Sequence, residues 1–88
     1  MKLDRNIPDN EGIGKYRLWN MRSGDPVDDC GPGEEHEFFV LMLKDRHAQA
    51  ALDAYADSIE KTDPEFAAEV RELADRAGER SLYCQDPD

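Results

Sequence analysis

The sequence predicts an α+β fold: a two-stranded antiparallel β-hairpin with a long acidic loop, packed against a C-terminal antiparallel helix pair. Three observations predict it. Phe38 to Leu43 (FFVLML) is an unbroken apolar run. The residues after Asp45 and after Pro64 switch to apolar spacings of three and four. Between the two strand candidates, residues 23–35 (SGDPVDDCGPGEE) are crowded with Pro, Gly and Asp.

Residues 1–13 mix Pro, Gly, Asn and charges with few apolar side chains and read as an irregular arm. A single domain over 14–80 follows. Its first strand spans about 14–22 (GKYRLWNMR) by alternation, with Tyr16 and Leu18 on one face and Arg17, Trp19 and Met21 on the other. The second strand spans about 37–44. Phe38, Val40 and Met42 point one way and Phe39, Leu41 and Leu43 the other, so both faces need cover. A single helix through this stretch would set the Asp45 carboxylate inside an apolar stripe with no partner, so strand-then-helix is preferred.

Asp45 then reads as the N-cap of a helix over about 46–61, with Ala48, Ala51, Leu52, Tyr55 and Ile59 as its apolar stripe. KTDPEF stops that helix and starts another over about 64–77, with Thr62 or Asp63 as cap and Pro64 in its first turn. Phe66, Val70, Leu73, Ala74 and Ala77 form its apolar face, Glu72 and Arg76 are spaced as an i,i+4 pair, and Gly78 is placed to end it. Residues 81–88 are a tail, with Leu82 and Tyr83 expected to fold back onto the helices. Two strands are marginal in water on their own, so a homodimer through the apolar strand is a natural way to cover its second face.

The formal net charge is −10 over 88 residues. Residues 23–37 hold six acids and no Lys or Arg. Such a surface repels phosphate backbones, which argues against direct nucleic-acid binding, and it favours a cationic protein surface as partner. No run approaches the ~18 apolar residues of a membrane span, and the N-terminal stretch lacks the apolar core of a signal peptide. A cytoplasmic protein with Cys30 and Cys84 reduced is expected.

Cys30, His36, His47 and Cys84 supply two-Cys, two-His zinc chemistry but lack any close ligand pair, so no metal or cofactor is expected. His36 lies between Glu35 and Glu37, and His47 near Asp45, which suits acid–base work. Yet no nucleophile elbow or phosphate-cradling glycine loop accompanies them, and no enzymatic activity is expected. The candidate interaction residues are Asp25, Asp28, Asp29, Glu34, Glu35 and Glu37, which could imitate phosphate spacing, with Arg17 and Trp19 as interface anchors. The competing readings are a solvated loop and a core Trp19 beneath the helices.

At KLDRNIP, GKYRLWNMR, EFFVLMLKDRHAQAALDAYA and DPEFAAEVRELADRAG the chain resembles a family of small phage and prophage proteins to which no activity is assigned. The resemblance covers the N-terminal arm and nearly everything from Glu37 onward. Many relatives carry a longer segment where this chain has SGDPVDDCGPGEE. The resemblance implies a mobile-element setting inside a bacterial host and brings no functional residues with it. The expected function is a small acidic binding protein, a phage-encoded inhibitor that occupies the cationic surface of a host defence or nucleic-acid-handling protein. The alternative is a virion or assembly component that self-associates through the apolar strand.

Overall fold

The computed structural model describes residues 16–86. Among them are a two-stranded antiparallel sheet and two α-helices, an α+β composition. The chain divides into two compact units, Met1–Val40 and Leu41–Asp88. This division cuts through the Phe38–Leu43 run.

In the first unit, β1 (Trp19–Asn20) pairs with β2 (Asp25–Pro26) in the register Trp19 to Pro26 and Asn20 to Asp25. The hairpin is therefore far tighter than expected, and it closes within NMRSGD rather than across the acidic loop. Local chemistry explains this. The Asn20 side-chain carbonyl accepts from the N–H groups of Arg22 (2.9 Å) and Ser23 (3.1 Å), and Gly24 N–H donates to the Asn20 carbonyl at 2.8 Å. Gly24 adopts φ +79°, which a side chain would oppose. Residues 14 and 15, and the arm over 1–13, lie outside the described residues.

The strand expected over 37–44 is corrected: these residues belong to no strand among the described residues. Phe38, Val40, Leu41 and Leu43 are half-buried, whereas Phe39 and Met42 are exposed. High β-propensity does not make a strand without a partner for its backbone, and β2 is engaged by β1. Just past this segment, Asp45 forms a single parallel bridge with Gln85.

In the second unit, α1 (Ala48–Ile59) and α2 (Pro64–Ala74) pack on each other through Ala56, Ala67 and Val70, with Leu52 and Ile59 partly buried against them. Small residues let the two backbones approach closely. Among the described residues no large side chain is fully buried, so the apolar stabilisation is modest. The interface is reinforced by Tyr55 and Phe66, edge-to-face at 6.2 Å, and by Arg71, which pairs with Asp57 (3.0 Å) and Glu60 (3.3 Å). Tyr55, Phe66 and Ala51, expected in the buried stripes, are exposed; Ala56 and Ala67 hold those places instead.

Asp45 does not cap α1 directly, because the N-cap is His47, but its carboxylate accepts from His47 N–H at 2.8 Å and shapes the turn before the helix. Asp63 caps α2 as read from the sequence, accepting from Phe66 N–H at 3.1 Å, with Pro64 as the first helical residue. Arg76 donates to the Glu72 backbone carbonyl (3.1 Å) rather than to its carboxylate.

Gly78 lies beyond the end of α2 and starts a short 3-10 turn, Gly78–Arg80. Its N–H donates to the Leu43 carbonyl at 2.7 Å, Gln85 N–H donates to Lys44, and Arg46 N–H donates to Gln85, each at 2.9 Å. Arg46 also bonds Asp86 (2.9 Å) and Glu79 (3.3 Å). The segment 78–86 is thus clasped onto the residues that precede α1. This clasp leaves Leu82 and Tyr83 facing solvent instead of folding back onto the helices.

Candidate protein-interaction surface

The acidic segment of the first unit is held by its own polar groups. After β2, Cys30 is buried and its thiol donates to the Val27 carbonyl at 3.3 Å. Pro32 and Gly33 turn the chain, with Gly33 at φ +76°. Across that turn, His36 N–H donates to the Asp29 carbonyl (3.0 Å), Glu34 N–H to Gly31 (3.0 Å) and Glu37 N–H to Glu34 (3.1 Å).

Carboxylates complete the fastening. Glu34 accepts from Gly31 N–H at 3.1 Å, and Glu37 from Gly33 N–H at 3.0 Å. Asp29 Oδ2 lies 2.8 Å from His36 Nδ1, and Arg17 donates to Asp28 Oδ1 at 2.8 Å. Four of the six acids named as candidate site residues therefore shape the loop as well as charging it. Asp25 and Glu35 are exposed, and their carboxylates accept no hydrogen bond among the described residues.

The electrostatics follow from these contacts. The hydrogen bond to His36 holds the Asp29 carboxyl below its ordinary value, and the same bond raises the His36 imidazole above its own. Burial raises the Cys30 thiol, and the charges of Asp29, Glu34 and Asp28 raise it further. A thiol held in its protonated form is a poor nucleophile.

Trp19 is half-exposed in β1 and Met21 is 86% exposed in the hairpin turn, which gives the unit apolar side chains on its surface. Asp29, Glu35 and His36 place their ligand atoms within 4.8 Å of one another. The sequence reading missed this grouping; the Pro-Gly turn between Asp29 and Glu35 was the signal that brings them together. Of the four residues weighed as a zinc set, Cys30 and His36 belong to the first unit and His47 and Cys84 to the second. Both cysteines are free thiols. Among the described residues no helix is long and apolar enough to cross a membrane. No family model matches the chain, and comparison with curated proteins and with solved structures returns no match.

Proposed function

We propose that the chain is a non-enzymatic protein-binding module that docks its acidic loop on a cationic protein surface. Following the resemblance to phage and prophage proteins, we place that surface on a host defence or nucleic-acid-handling protein, which the chain inhibits by occupying it. The observation that carries the reading is the self-fastened acidic loop. Its carboxylates are fixed by bonds to Gly31, Gly33, His36 and Arg17, while Asp25 and Glu35 face solvent. A loop ordered before binding loses less conformational freedom when it docks, so its charge converts more fully into affinity. Trp19 and Met21 supply apolar contacts that a purely solvated acidic loop would lack.

The test is capture of a partner from host lysate with the 88-residue chain, identification by mass spectrometry, and measurement of Kd against ionic strength. Affinity falls steeply with salt on this reading; a salt-insensitive complex contradicts it. A second reading, self-association in a virion or mobile-element assembly, draws on the exposed Phe39 and Met42 in the apolar run. Light scattering separates the two, since a strict monomer removes the assembly reading.

A further inference from the structure

The second unit carries a surface of opposite character. An open groove of about 630 Å³ is floored by Met42, Leu43, Leu82 and Tyr83. Leu82 is 96% exposed and Tyr83 76% exposed, yet neither dangles. Ser81 N–H donates to the Gly78 carbonyl (3.0 Å), Tyr83 N–H to the Ser81 hydroxyl (3.1 Å) and Cys84 N–H to the Ser81 carbonyl (3.3 Å). The facing wall is fixed by the bonds from Gly78 to Leu43 and from Gln85 to Lys44. Two large apolar side chains are thus held into water by a hydrogen-bonded turn, an arrangement that favours whatever covers them.

The polar lining is cationic. Lys44, Arg76 and Arg80 border the groove, Ser81 adds a hydroxyl, and among the described residues no carboxylate lines it. Arg76 donates to the uncharged Glu72 carbonyl and Arg80 pairs with Asp75 at 3.3 Å, so the three cations of the lining outnumber the one carboxylate they meet. The nearby acids Glu79 and Asp86 are engaged by Arg46. On a chain of net charge −10 this is a local reversal of sign. An anionic partner is attracted here while the rest of the molecule repels it. The groove is too open to enclose most of a small ligand, which favours an extended protein segment.

We propose that this groove docks an acidic segment of a partner protein, one in which carboxylates flank an apolar anchor that covers Leu82 and Tyr83. The site lies in the other unit from the acidic loop and selects the opposite charge, so either proposal can fail without the other.

Fluorescence anisotropy on the full chain tests it, with labelled short peptides of alternating Glu and Leu, Lys and Leu, or Glu and Ser. The Glu–Leu peptide binds saturably, and the other two bind at least about tenfold more weakly. Leu82→Ser and Arg76→Gln each weaken it about fivefold or more, with helical circular dichroism unchanged because both side chains are exposed. Neutralising Asp25 and Glu35 does not weaken it. Equal binding of the Lys–Leu peptide, no binding of the Glu–Leu peptide, or full binding by Leu82→Ser overturns the proposal. So does a sedimentation result in which the chain dimerises and Leu82→Ser abolishes the dimer, since a second copy is then the occupant.

Discussion

Gly78→Ala destabilises the second unit through two separate costs. Gly78 has φ +60°, a conformation that costs a residue with a side chain roughly 1–2 kcal/mol. A Cβ there would also lie 2.9 Å from the Arg46 carbonyl oxygen and 3.3 Å from Gln49 Cβ. The first neighbour is backbone and cannot swing aside; it sits in the clasp formed by the Gly78–Leu43 and Arg46–Gln85 hydrogen bonds. Overpacking of this kind adds about 1–3 kcal/mol. The sum, about 2–5 kcal/mol, is a large part of the stability of a small domain, about 5–15 kcal/mol in total. Urea unfolding followed by helical circular dichroism reads it directly. Gly78→Asn separates the two causes, because Asn tolerates the left-handed conformation and recovers about 1 kcal/mol while keeping the clash. Gly24→Ala, at φ +79° with open space around it, carries only the conformational cost. A Gly78→Ala protein with an unchanged urea midpoint would refute both the clasp and the close approach.

The remaining predictions concern the loop and the helix pair. The Asp29–His36 pair fastens the loop fully between the ordinary carboxylate value of 3.8 and the ordinary imidazole value of 6.5. Its contribution is lost as pH rises through the raised His36 pKa, and also as pH falls through the lowered Asp29 pKa. NMR titration of the His36 ring shows a lower pKa in Asp29→Asn than in the native chain; identical values would remove the pair. Asp63→Ala costs about 1 kcal/mol through loss of the bond to Phe66 N–H, whereas Asp63→Asn costs little. Equal losses in thermal melts would show that Asp63 is not acting as a cap. Ala67→Leu, in the fully buried contact with Ala56 and Val70, costs about 1–3 kcal/mol, while Ala68→Leu on the exposed side is near neutral. Matching melting temperatures for those two variants would contradict the interface.

Both helices were legible because their signals are local. The three-four spacing, the Asp63-Pro64 start and the alanine runs act within a few residues, and the observed helices fall inside the expected ranges. The strand over 37–44 was not legible, since FFVLML carries composition but not the identity of a partner. The hairpin that does form is decided by Asn20 and Gly24, turn chemistry that lay inside what read as the end of a strand. The acidity of the candidate surface was plain from composition. Which acids fasten the loop and which face outward was not, because that depends on bonds to the Gly31 and Gly33 N–H groups that form only once the turn at Pro32 and Gly33 is made. The cationic groove escaped notice for a related reason: Lys44 and Arg80 are remote in sequence and meet through the backbone pairing of Leu43 and Lys44 with Gly78 and Gln85.

Asp25 and Glu35 provide the most direct test of the acidic docking surface, because neutralising them removes charge without breaking a described hydrogen bond of the loop. The measurement is the affinity of Asp25→Asn, Glu35→Gln for the partner captured by the native chain, beside a control that neutralises the exposed Glu65 and Glu69 of α2. Docking through the loop predicts a loss of about fivefold or more for the first pair, carried mainly by slower association, and almost none for the control. Unchanged affinity in the first pair, or an equal loss in both, would contradict it.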